Sequence, residues 1–342
     1  MNGQLPGGAL QYSDTPRCLV AMYHYVHDQH SVARPGAPGI HGGLHGLSVA
    51  EFCRQLDRLC ATLEPINWPT LFAWMEGRAD IPQRSFLLTF DDGLADHVET
   101  ILPILEDRGL RGVFFVPGSV LTSHQMLPAH ALHLLLSVLG EDDLEKALRR
   151  SLLARGVESW CHWLDQRPPG DDVAAETMYH YESPSRARLK YLLTMKLPLD
   201  LRRALVQELF EQHVGSSTRW SRHWYLGWDD LVKIQSMGHT IGGHGHVHEP
   251  YDRLTHEEIE KDVMQVAAVL RDGLGPDVRP FSYPYGSYNN HAVAACKKAG
   301  FVHGFTTHRG WTEPHADPHR LPRIDTIDVY NALREKLTCH QV

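Results

Sequence analysis

Short uninterrupted apolar runs alternate with amphipathic stretches towards both ends of this chain. Cys18–Tyr23, Ser85–Phe90 and Gly112–Val116 are apolar on both alternating faces, as strands are when helices cover a parallel sheet. Between them Ser48-Val-Ala-Glu51 reads as a capping box, after which Phe52, Leu56, Leu59 and Leu63 fall on one helical face. A helix is expected over His97–Arg108. The alternation resumes at Trp228: a helix to Met237, a strand at His239–Gly242, a helix over Thr255–Leu270, a strand at Pro280–Tyr283, a helix over Asn290–Ala299 and a strand at Gly304–Thr307. Strands that regularly trade places with helices predict an α/β fold, a parallel sheet or barrel clothed in helices.

The middle breaks the pattern. From Thr122 to His223 no strand is readable; helical patterns occur at Ala131–Val138 and Arg202–Phe210, and Pro168-Pro-Gly-Asp-Asp172 reads as a loop. The expected division is therefore 1–121 as the first part of a barrel, 122–223 as a mostly helical insertion and 224–342 as the second part. The insertion reads equally as a lid, a substrate-binding element or a structural cap. Hydrophobic residues at 42% and charged residues at 22% of 342 positions suit a globular chain. A formal charge of −8 argues against a nucleic-acid partner. No apolar run reaches the roughly 18 to 20 residues of a membrane span. Met1–Arg17 is Gly-, Pro- and polar-rich and lacks the pattern of a secretory leader. With six cysteines and no Cys-x-x-Cys pair, buried free thiols in the cytoplasm are the expectation.

Two constellations bear chemistry. Asp91-Asp92-Gly93 follows a buried strand, where α/β folds carry functional loops; paired acids there need a compensating cation or proton, although Asp-Asp-Gly is also an ordinary turn. Twenty-four histidines should yield His-x-x-x-His about 1.7 times by chance, and His41/His45, His244/His248 and His315/His319 all have that spacing. Only His244/His248 follows a strand, so only that pair has the context of a metal site. The other two lie in Gly/Pro-rich loops. Two imidazoles and a carboxylate, with a position left for water, form a ligand set of zinc hydrolases.

The run Leu87-Leu-Thr-Phe-Asp-Asp-Gly93, then Gly238-His-Thr-Ile-Gly-Gly-His-Gly-His-Val-His248, then Phe281-Ser-Tyr-Pro-Tyr-Gly286 resembles the polysaccharide deacetylase family, also called the NodB homology domain or carbohydrate esterase family 4. The third motif is similar to that of a circularly permuted branch. The resemblance spans Leu19–Val120 and Tyr225–Arg323 and implies a distorted (β/α)7 barrel. It further implies that Asp92, His244 and His248 bind a divalent metal, zinc first, with cobalt or manganese as alternatives. Asp91 would be the general base, and the Tyr285 backbone N–H would help hold the oxyanion. Where the family usually has an Arg beside the base, this chain has Ser282; Arg323 in Leu321-Pro-Arg-Ile324 either supplies that cation or makes a surface ion pair. The family's late Leu-x-His motif is absent, and Leu19-Val-Ala-Met-Tyr-His24 resembles it transferred to the first strand, which makes His24 the expected general acid. As a lone residue it also reads as structural.

Other residues stay open between two readings. Trp311 lines the site or is core, Tyr283 and Tyr285 stack on a sugar or are core, and His246 is close behind the metal ligands or exposed. His315 and His319 are expected in a mobile loop. The implied activity is metal-dependent deacetylation of an acetylated amino sugar in a glycan, oligosaccharide or glycoconjugate precursor. The alternatives are an amidase or deformylase acting on a small non-sugar amide, or a catalytically silent metal- or glycan-binding domain.

Overall fold

The computed structural model describes residues 15–28, 46–166, 169–180 and 182–334. Among these residues eight strands run in the order β1 (Arg17–Tyr23), β2 (Glu64–Pro65), β3 (Arg84–Phe90), β4 (Gly112–Val116), β5 (Thr240–Gly243), β6 (Pro280–Ser282), β7 (His303–Phe305) and β8 (Ile324–Asp325). All their pairings are parallel, in the order β7-β6-β5-β4-β3-β1-β8, with β2 beside the start of β3. Leu321 exchanges backbone hydrogen bonds with Gly304 and Thr306 on the β7 side, and three residues on Ile324 pairs with Ala21 of β1. That stretch closes the curled sheet into the distorted (β/α)7 barrel.

Helices α1 (Val49–Cys60), α2 (Trp68–Met75) and α3 (Leu102–Asp107) cover the first half. The Ser48 hydroxyl accepts from the Glu51 N–H at the start of α1, and Phe52, Leu56 and Leu59 are buried, as their spacing predicts. Between β4 and β5 lie α4 (Gly118–Thr122), α5 (Pro128–Ala154, broken at Gly140), α6 (Ser159–Gln166), α7 (Pro169–Met178), α8 (Pro184–Tyr191), α9 (Leu199–His213), α10 (Ser217–Trp224) and α11 (Trp228–Ser236). The loop expected at Pro168–Asp172 is instead the start of α7. Proline is at home in a first helical turn, and Asp171 and Asp172 there complement the positive end of the helix dipole. Pro168 lies outside the described residues. Helices α12 (His256–Leu274), with a complete Thr255/Glu258 capping box, α13 (Asn290–Lys298) and α14 (Val329–Arg334) finish the second half.

Alternation along the strands separates two cores. Cys18, Val20, Leu87, Val113, Phe115, Phe305 and Leu321 meet inside the barrel, whereas Leu19, Ala21, Phe86, Leu88 and Phe114 face the helices. Glycine is required at position 242, where a Cβ would lie 2.5 Å from the Phe115 ring and 2.7 Å from the Pro280 carbonyl. The five described cysteines are all free; Cys339 lies outside the described residues. No helix among the described residues is long and apolar enough to cross a membrane.

Candidate active site

Strand register brings the chemistry together. Tyr23 of β1 pairs with Phe90 of β3, and the Asp91 N–H donates to the Tyr23 carbonyl (2.9 Å), so His24 and Asp91 leave neighbouring strands side by side. Val116 of β4 pairs with Gly243 of β5 and its carbonyl accepts from the His244 N–H (3.1 Å), which sets the histidine loop at the same rim. These are the C-terminal ends of the strands, where barrel folds build their sites.

Three ligand-type atoms converge there. Asp92 Oδ1 lies 3.3 Å from His244 Nε2 and 3.1 Å from His248 Nε2. All three residues are buried, and their ligand atoms lie within 4.8 Å of one another. His244 Nδ1 donates to the Ser282 carbonyl (2.8 Å), which fixes the ring with Nε2 turned toward Asp92. The backbone is strained where the geometry is most demanding. Among the described residues five non-glycines have positive φ, and three of them are Asp92 (79°), His248 (55°) and Tyr285 (57°). Such conformations persist only where the surroundings impose them. The donor set, two imidazole nitrogens and one carboxylate oxygen pointed at one centre, fits a divalent metal such as zinc.

The two adjacent carboxylates are compensated differently. Arg323 donates from both terminal nitrogens to Asp91 (2.8 and 2.7 Å), and the Ser282 hydroxyl bridges Arg323 and Asp91 at 2.8 and 3.1 Å. Burial alone would raise the Asp91 carboxyl; the Arg323 guanidinium, helped by His244, outweighs it and brings the pKa down to about 2. Arg323 is 1% exposed, so the surface ion pair considered for it is excluded. For Asp92 burial is outweighed by the surrounding histidines, His130 first, and the carboxyl is held well below its usual range.

His130 carried no signal in the sequence. It projects from α5, and its Nε2 reaches Asp92 Oδ2 at 3.1 Å. The Leu127 N–H donates to the Tyr225 hydroxyl (3.0 Å), and that hydroxyl donates to His130 Nδ1 (2.6 Å), so Nε2 carries the proton offered to Asp92. A second tie runs from α9: Arg202 and Arg203 (3.0 Å for the latter) bind Glu249, a fully buried acid next to His248. Its place beside a proposed ligand was the available clue.

A cavity of about 400 Å³ opens over these groups. His24, Asp91, Asp92, His244, His248, Tyr283 and Tyr285 line it together with His130, His133, Tyr179, Glu182 and Lys190 from the helical stretch. Trp311 does not line it. That ring sits under the guanidinium groups of Arg17 and Arg84, at the opposite ends of β1 and β3. His246 is buried, not exposed, its ring against Gly118, where a Cβ would come within 2.4 Å of Nδ1. His319 lies in a turn, as expected, but a packed one: it is buried, and its carbonyl accepts from the Tyr283 hydroxyl (3.0 Å) at the closure of the barrel. His41 and His45 lie outside the described residues.

A sequence profile of the family described as polysaccharide deacetylase matches residues 78–176 and 206–304. The chain belongs to that family. The matched residues include Asp91, Asp92, His244, His248 and Tyr285, but not His24 or Arg323. Over 64 residues the chain is 36% identical to the poly-beta-1,6-N-acetyl-D-glucosamine N-deacetylase of Staphylococcus epidermidis. That match takes in 19% of this chain and spans only 22% of the curated relative. The Streptococcus pyogenes deacetylase PplD, solved in complex with acetate, superposes with a TM-score of 0.56 at 12% identity, over 94% of this chain and 100% of that one. IcaB from Ammonifex degensii gives 0.55 at 15% identity, over 93% and 96%. At these identities the structural likeness speaks for the deacetylase fold.

Proposed function

We propose that this protein is a metal-dependent hydrolase that removes the acetyl group from an N-acetylated amino sugar in a glycan, oligosaccharide or glycoconjugate precursor. The observation that carries the reading is the convergence of Asp92 Oδ1, His244 Nε2 and His248 Nε2 beside an Asp91 carboxylate clamped by Arg323, all facing one cavity. Asp92, His244 and His248 would hold the metal, zinc first, with cobalt or manganese as alternatives. When bound, such an ion polarises a carbonyl and lowers the pKa of water.

Asp91, ionised at neutral pH, accepts the proton of the attacking water. The Arg323 guanidinium keeps it a weak base, which favours handing that proton on. His24, at the end of the first strand, takes the role of the histidine missing from the C-terminal stretch and protonates the departing amine, in the manner of a permuted barrel. The Tyr285 backbone N–H, fixed by its left-handed conformation, is assigned to the oxyanion.

The same residues could cleave a small non-sugar amide, so substrate and cofactor are tested together. The metal-stripped protein should release no acetate from a panel of N-acetylated sugars, and zinc, cobalt or manganese should restore release. Undiminished activity after verified metal removal would reject the mechanism. Turnover of formamides or simple amides without any sugar turnover would favour the amidase reading. Metal occupancy without turnover of any amide would favour the silent binding domain.

A further inference from the structure

The helical stretch gives the cavity a second polar feature, remote in sequence from the metal-type cluster. Lys190 of α8 and Glu182, just before that helix, form an ion pair at 2.8 Å, with side chains 7% and 2% exposed, and both line the cavity. The Lys190 ammonium also lies 4.6 Å from the centre of the Tyr179 ring, itself part of the wall, and Arg186 approaches the other Glu182 oxygen at 3.9 Å. Both Glu182 and Lys190 fall within 177–205, the segment between the two parts of the family match.

Stability is a poor reason to bury such a pair, because well-packed apolar side chains of similar volume serve as well or better. Recognition is a better one. An ammonium has three donors and a carboxylate two accepting oxygens. Set in a cavity wall, the pair offers both kinds of partner to a ligand at almost no net charge, which matches vicinal hydroxyls and disfavours an anion. Thr307, Thr326 and Asp325 add further polar groups to the cavity lining. At about 400 Å³ the cavity lies near the low end of the ~300–1,000 Å³ usual for small-molecule sites and has room for one sugar residue with its acyl group.

Resting on the deacetylase reading above, we infer that Lys190 and Glu182 are its specificity pair: they bind the hydroxyls of a single N-acylated amino-sugar residue while its amide lies against Asp91 and the Asp92/His244/His248 cluster. The test compares two probes on the metal-loaded full chain. N-acetylglucosamine and its short β-1,4- and β-1,6-linked oligomers read sugar recognition, and 4-nitrophenyl acetate, which has no hydroxyls to bind, reads only the acyl end. Glu182→Gln keeps the shape of the pair. The double variant Lys190→Met/Glu182→Leu removes both charges without stranding either.

Each variant should lose about tenfold or more in kcat/KM on the amino sugars, mainly through KM, and stay within about twofold of wild type on the ester. Equal losses on both probes would mark the pair as structural and overturn the inference, as would undiminished turnover of the amino sugars. A wild-type protein that cleaves the ester and no amino sugar would overturn the deacetylase reading and this inference with it. One that deacetylates amino sugars while both variants match it overturns the inference alone.

Discussion

Asp91 and Asp92 are adjacent acids in unlike electrical surroundings, which is how both stay ionised. A bidentate guanidinium holds Asp91, while Asp92 shares its oxygens among His130, His244 and His248. Their replacements should therefore separate. Asp92→Ala should remove metal and activity together, whereas Asp91→Asn should retain the metal and lose roughly 10²–10⁴ in kcat, the usual worth of a general base. Metal content measured beside turnover decides it, and full activity in Asp91→Asn would end the base assignment. At the other end of the barrel a histidine has a purely structural part. Trp68 Nε1 donates to His303 Nδ1 (3.2 Å), which requires the neutral ring, and burial, aided by His319, lowers the His303 pKa from 6.5 to about 4. A depressed histidine contributes stability above its unfolded pKa and loses it as pH falls, here between about 6.5 and 4, by up to about 3 kcal/mol. Urea denaturation across that window should show a shallower pH dependence for His303→Gln, whose side chain keeps an acceptor without titrating. Parallel curves for the two proteins would mean that His303 is not the group concerned.

The elements differ in how openly they announce themselves. β1, β3 and β4 were readable because a strand covered on both faces is apolar throughout, and α1 because its cap and its stripe agree. Asp92, His244 and His248 were readable because the loops that carry them follow such strands in a familiar order. His130 was not, since one histidine among 24 on a long helix has no local mark; only the docking of α5 onto the barrel aims it at Asp92. Pro169-Gly-Asp-Asp was misread because the residues that favour loops also start helices. What α5 contributes can be measured. His130→Ala should leave Asp92 Oδ2 without its donor and weaken metal affinity or turnover by about 10–100-fold, the usual cost of losing a group that orients a ligand. Tyr225→Phe, which removes only the hydroxyl that fixes the His130 tautomer, should cost less. Chelator competition gives the affinity, and wild-type binding in His130→Ala with wild-type turnover would show that α5 merely covers the site.

Across the whole molecule the helices between β4 and β5 share one apolar core with the barrel. Leu94, Val120, Leu132, Leu135, Leu205 and Phe210 belong to a single buried cluster, and backbone bonds join Leu226 to Gly93 and Ala95 to Trp224 at the seam. A cap that packed only on itself would melt separately; a stretch whose removal uncovers the barrel core should not. Thermal unfolding followed by far-UV circular dichroism and by tryptophan fluorescence should therefore superpose on one transition. The Arg202–Glu249 pair sharpens the test, because it ties α9 to the residue beside His248 and both side chains are almost wholly buried. Losing one partner of a buried pair usually costs ~3–5 kcal/mol, since a charge is left without its counterion. Arg203 still reaches Glu249 at 3.0 Å, so Arg202→Met should cost about 2–4 kcal/mol. That loss should lower the whole transition and weaken metal binding with it, because the element released from Glu249 is also the one that steadies the histidine loop. Two resolved transitions in Arg202→Met, with the metal site intact through the first, would mean that the helices and the barrel fold as separate units.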